Sequence, residues 1–174
     1  MTARRRLRPG FSSVIVGILL LTALAAGWLQ SRREAPPAPT SSVVTAGDRY
    51  DLARDEQRGG HTLERHIGWS ESDLIDRLRR ERGISAASTY VDRDTAERVV
   101  AQTLWRFRSR VDAWLARDGQ RPNLALDYRG EEPIGMSVSR GARQAVVCTD
   151  AVVVLRWDRG ESFYVLTSYP ESSR

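Results

Sequence analysis

The chain has 174 residues, 41% of them apolar and 28% charged; this leaves room for one compact domain of roughly 100 to 150 residues plus an appendage, and excludes a large multidomain enzyme or a collagen-like chain. The net charge of +5 gives no argument for nucleic acid: six of the 27 basic residues precede Ala35 against Glu34 alone, and the remainder balances. With Cys148 as the one cysteine and only two histidines, an internal disulfide is impossible and a tetrahedral zinc site improbable, so no metal and no cofactor is expected.

From Pro9 to Ser31 no charged residue occurs, and Phe11 to Leu29 is almost unbroken apolar sequence. A helix rising about 1.5 Å per residue over that length reaches across a hydrocarbon layer of roughly 30 Å. Arg4, Arg5, Arg6 and Arg8 before the run, against Arg32 and Arg33 after it, orient the N-terminus inward and the domain outward. Ala23-Leu24-Ala25 also fits the small-residue site of a cleaved secretory signal. Residues 1–33 are therefore expected to form a transmembrane signal anchor or a signal peptide. The protein would be single-pass in the inner membrane with an extracytoplasmic C-terminal domain, or secreted or periplasmic if the leader is cleaved. Residues 34–47 (EAPPAPTSSVVTAG) read as a Pro-rich linker, and 48–174 as the folded domain.

The first half of that domain reads as helical. A short helix is expected over Asp48 to Glu56, then a break at Gly59-Gly60, then a helix over His61 to Ile67. Ser70 is a good N-cap for a helix carrying Leu74, Ile75 and Leu78, with Glu71 and Asp73 in its first turn and Gly83 beyond its end. Asp92 or Asp94 opens the longest helix, whose Val100, Leu104, Phe107, Val111, Trp114 and Leu115 recur at three- and four-residue spacing until Gly119. No element is assigned between Gly83 and Asp92. In the second half, Leu124–Tyr128, Ile134–Ser139, Ala145–Cys148, Ala151–Trp157 and Ser162–Tyr169 are β-branched and aromatic, with Asp158-Arg159-Gly160 closing a hairpin between the last two. Helices followed by strands give an α+β class.

His61 and His66 are the two side chains whose ordinary pKa lies near neutrality, and so the first candidates for proton transfer. Five residues apart, on one continuous helix they would differ by about 140° and could not share a cleft. Either His61 sits on the Gly59-Gly60 turn or only one of them is catalytic. In the last strand Phe163, Val165, Thr167 and Tyr169 alternate onto one side, so a hydroxyl and a phenol project together. Cys148 reads as a small buried apolar residue.

DLARDEQRGGHTLERHIGWSESDLIDRLR, then ISAASTYVDRDTAERVV, and finally VVVLRWDRGESFYVLTSYP together resemble the bacterial ribonuclease A-like toxin domain at the C-terminus of CdiA contact-dependent inhibition proteins. The resemblance runs from about Asp51 to Pro170, and GGHTLERH and FYVLTSYP are its specific parts. It implies a disulfide-free ribonuclease A-like fold, N-terminal helices followed by an antiparallel sheet, and RNA cleavage without metal or cofactor. It also implies an immunity protein as partner. The family's active histidine, arginine, threonine and tyrosine match His66, Arg77, Thr167 and Tyr169, with His61 in the GGH pattern as a second-rank site residue. Such chemistry needs a base for the 2′-OH proton and donors for the charge on the phosphoryl oxygens. His66 suits the first task and the always-charged fork of Arg77, at the edge of the Leu74 and Leu78 stripe, the second. Thr167 and Tyr169 would hold the phosphate or base, and Tyr169 could protonate the leaving 5′-oxygen. A membrane-tethered binding module that kept the fold and lost turnover is the alternative.

Overall fold

The computed structural model describes residues 49–159 and 162–172; the expected leader, the linker and Asp48 lie outside the described residues. Among the described residues no helix is long and apolar enough to cross a membrane. In chain order these are α1 (Leu52–Glu56), α2 (Thr62–His66), α3 (Glu71–Arg80), β1 (Ala86–Tyr90), α4 (Arg93–Arg106), α5 (Arg108–Leu115), β2 (Leu124–Tyr128), β3 (Gly135–Ser139), β4 (Val146–Cys148), β5 (Asp150–Trp157) and β6 (Phe163–Glu171).

The α+β class holds, but one sheet becomes two. The strands form antiparallel three-stranded sheets in the orders β1-β3-β4 and β2-β5-β6. β1 lies inside the helical half, where the sequence suggests no element. Its Ala86, Ala87 and Ser88 are weak strand formers, and pairing with β3 in the register Ala87↔Val138 makes the strand. The expected hairpin of β5 and β6 is present and antiparallel.

The helix starts follow their caps. Ser70 accepts from the Asp73 N–H while the Asp73 carboxylate accepts from the Ser70 N–H, a reciprocal capping box that opens α3. Asp92 caps α4 through the Thr95 N–H at 2.7 Å. The single long helix expected up to Gly119 is instead α4 and α5, broken at Phe107 and ending at Leu115. The Thr103 hydroxyl donates back to the Val99 carbonyl at 2.7 Å, one turn before the break, and such back-bonding bends helices.

Two apolar clusters sit under the two sheets. The larger joins α1, α4 and α5 to β2, β5 and β6 through Leu52, Val99, Val100, Leu104, Val111, Trp114, Leu126, Val153, Leu155 and Val165. The smaller packs Leu74 and Leu78 of α3 on Ala87 of β1 and Val138 of β3. Tyr90 ties the sheets together: it lies on β1, belongs to the larger cluster, and its hydroxyl bonds Ser168 of β6 at 2.5 Å. Cys148 is a buried strand residue as expected, and burial pushes its thiol up to about 11, away from reactivity at neutral pH.

Candidate active site

β6 is an outer strand of its sheet, and α1, α2 and the turn between them cover its free edge. The buried carboxylate of Asp55 accepts from the Val165 N–H at 2.6 Å, the His61 N–H donates to the Leu166 carbonyl at 3.0 Å, and the Ser168 N–H donates to the Thr62 hydroxyl at 2.8 Å. A strand edge is thereby satisfied without a neighbouring strand. The two glycines make the approach possible. Gly59 has φ +101°, a left-handed conformation that glycine adopts freely. A Cβ on Gly60 would stand 2.7 Å from the Val165 carbonyl oxygen and 2.9 Å from that of Asp55.

This turn decides the histidine question. His61 is the N-cap of α2, with a non-helical backbone and no capping bond from its side chain, and therefore stands before the helix rather than on it. It lies close enough to influence His66, the last residue of α2, electrostatically. His66 is fixed by β1: Ile67 forms a parallel bridge with Tyr90, and the imidazole Nδ1 lies 3.0 Å from the Ser88 carbonyl oxygen. A carbonyl can only accept, so Nδ1 carries the proton of the neutral ring and Nε2 holds the lone pair. Burial above all, helped by the positive charges of Arg77, His61 and Arg65 and opposed by the bond to Ser88, pushes the His66 pKa down to about 4. The ring is neutral at pH 7.

Arg77 is near His66, but not as an open fork. It is 7% exposed, so it is not a solvated charge on the outer face of α3. Its Nη1 donates to the Arg65 carbonyl at 2.9 Å and its Nε to the Glu81 carboxylate at 3.2 Å. The side chain thus clamps the end of α2 from α3 and leaves a buried positive charge beside the imidazole.

The alternation expected along β6 is broken. Val154 pairs Thr167 while Leu155 pairs Val165, so Leu166 is an extra residue and a bulge. Val165 and Ser168, three apart, are both fully buried, while Thr167 and Tyr169 are half-buried. Thr167 and Tyr169 still share a face, but they part from Val165 and Phe163. Bulges of this kind recur beside active sites because they re-aim side chains. Here the bulge turns Tyr169 toward His66, with ring centroids 5.6 Å apart at 34°. The Thr167 hydroxyl oxygen is buried and has no hydrogen-bond partner among the described residues, an arrangement that costs about 1–3 kcal/mol until something fills it. Burial, then the carboxylates of Glu171 and Asp127, raises the Tyr169 phenol above its ordinary range.

His66 and Tyr169 therefore meet where β1 of one sheet faces β6 of the other, with Thr167 on the same face of β6 as Tyr169, the charge of Arg77 behind and His61 on the turn. The carbonyls of Ser88 and Arg65, which orient His66 and Arg77, carry no side-chain signal that a sequence reading could use. Among the described residues, no three His, Cys, Asp or Glu side chains are grouped to hold a metal ion.

Residues 60–170 match the family model described as the bacterial CdiA-CT RNAse A domain. The chain belongs to this family. The CdiA-CT RNAse A match opens on Gly60, which docks on β6, and closes one residue after Tyr169, so all five candidate residues lie inside it. A chain in the crystal structure of a CdiA-CT/CdiI complex from Y. kristensenii 33638 is 32% identical at a TM-score of 0.59, over 64% of this chain and 99% of that one. Among curated proteins none matches. Membership of the CdiA-CT RNAse A family points to a bacterial ribonuclease toxin.

Proposed function

We propose that this domain is an endoribonuclease that cleaves RNA by attack of a 2′-OH on the adjacent phosphodiester, without a metal ion. The observation that carries the reading is the His66 imidazole, its Nδ1 on the Ser88 carbonyl and its ring against Tyr169. Nε2 of His66 takes the 2′-OH proton as the 2′-oxygen bonds to phosphorus. The P–O5′ bond breaks and the leaving oxygen takes a proton from the Tyr169 phenol, with His61 as the second-rank donor. The products are a 2′,3′-cyclic phosphate and a 5′-OH, and the proton on His66 returns to the phenolate through water. The buried charge of Arg77 opposes the negative charge growing on the phosphoryl oxygens. The Thr167 hydroxyl gains a partner when the phosphate arrives. A pKa held near 4 makes His66 a weak base in the free protein, and a bound phosphodiester anion raises it by favouring the imidazolium.

The full chain, purified and folded, is expected to cut single-stranded RNA in EDTA and to leave DNA intact, since DNA lacks the attacking hydroxyl. His66→Ala should lower the rate about 10²- to 10⁴-fold. Intact RNA with a folded sample would return the domain to the binding-module reading. The similar structure is a CdiA-CT/CdiI complex, and we extend that pairing here: an immunity protein encoded beside this chain should block cleavage when added in equimolar amount. The leader and the extracytoplasmic location also stand as proposals, checked by the compartment in which a reporter fused after Arg174 is active.

A further inference from the structure

On the sheet β2-β5-β6, the face that carries Thr167 and Tyr169 continues beyond the reacting centre. Register places Asp127 opposite Val152 and Val152 opposite Tyr169, so Asp127 and Tyr169 flank Val152 on one face. Two strand spacings separate them by roughly 10 Å. Asp150 pairs Glu171 in the next row on this face, and Arg129, two residues beyond Asp127, reaches that row with its Nη1 2.5 Å from the Asp150 carboxylate. Asp127, Arg129, Glu171 and Ser172 line a cleft of about 420 Å³. Reading outward from His66, the order is imidazole, phenol, the buried Val152, then carboxylate and guanidinium.

Carboxylates beside a phosphate-binding centre repel RNA unless they gain hydrogen bonds in return. The part of RNA that offers N–H donors is the base. Guanine presents two adjacent donors, N1–H and N2–H₂, next to the acceptor O6, whereas adenine, cytosine and uracil place a single donor group next to an acceptor. A carboxylate accepts through both oxygens and an arginine donates to O6. The cleft opens on the Asp127 side of this face, so a planar base entering it meets the Asp127 carboxylate with its Watson–Crick edge.

We infer that Asp127 and Arg129, in the cleft they share with Glu171, form a base subsite that selects guanine beside the scissile phosphate. This rests on the ribonuclease reading above and deepens it. The subsite directs cleavage to phosphodiesters flanking guanosine, with Asp127 on N1–H and N2–H₂ and Arg129 on O6.

The test is the cleavage pattern of the full chain on an RNA of mixed sequence in EDTA, together with its binding of guanosine and cytidine 3′-monophosphates. Asp127→Asn keeps shape and exposure but turns one acceptor into a donor. Cuts concentrated beside guanosine, with the preference falling about tenfold to hundredfold in Asp127→Asn while cuts elsewhere persist, support the subsite. Cleavage without base preference, or a preference unchanged in Asp127→Asn, overturns the subsite and leaves the nuclease standing. If RNA stays intact, the nuclease reading falls and binding decides the subsite. Guanosine monophosphate held more tightly than cytidine monophosphate, and released by Asp127→Asn, sustains it; equal binding overturns it.

Discussion

His66 combines two properties that normally compete. Burial above all, with the neighbouring charges of Arg77 and Arg65, keeps its ring neutral, while the Ser88 carbonyl fixes which nitrogen is bare. The folded pKa of about 4 lies below the ordinary histidine value, so the base form is present above that pH and is lost as pH falls through it. The kcat/KM profile of RNA cleavage should therefore stay high from neutrality down to about pH 5 and drop around 4, where an ordinary histidine would lose its base form near 6.5. On the alkaline side the raised Tyr169 phenol stays protonated beyond the usual phenol range, so the acid form persists to high pH. A profile falling at pH 6.5 would show that His66 is not the base in the free enzyme.

Among the elements, the α1–α2 turn has the most to lose from one atom. Its backbone lies against β6 in place of a strand, and Asp55, His61 and Thr62 supply the bonds that a neighbouring strand would have made. Gly60→Ala puts a methyl 2.7 Å from the Val165 carbonyl oxygen, which is backbone and cannot turn away. A loss of about 1–3 kcal/mol is expected in urea unfolding, with a fall in activity because His61 sits on this turn and His66 on the helix it starts. The bulge at Leu166 is the other device at this scale. It lets Val165 stay in the core while Thr167 and Tyr169 face the site, which strict alternation would forbid.

Across the whole molecule, the site is a seam between two sheets with separate apolar clusters. Arg77 spans that seam at one end, from α3 over the small cluster to the Arg65 carbonyl of α2, and the Tyr90–Ser168 bond spans it at the other. Arg77→Met preserves much of the packing but frees the carbonyl and the Glu81 carboxylate. It should cost about 1–3 kcal/mol in chemical denaturation and also release His66 from a nearby positive charge, so its pKa rises. Titration of the His66 ring by NMR separates the two effects: a destabilised variant with an unmoved His66 pKa would make Arg77 a clamp alone.

The α+β class, the caps of α3 and α4, the last hairpin, the burial of Cys148 and the glycine turn before His61 were legible in the sequence, because each depends on residues a few positions apart. The family motif added His66, Arg77, Thr167 and Tyr169, and the fold brings them to one region. What the sequence left open depended on contacts made at long range. β1 exists because β3 pairs with it, Arg77 is buried because α2 offers it a carbonyl, and Thr167 faces His66's side of the sheet because a bulge opposite Val154 turns the strand. Local patterns carry propensity. Pairing between distant segments, with the desolvation and hydrogen bonding it imposes, decided which side chains meet.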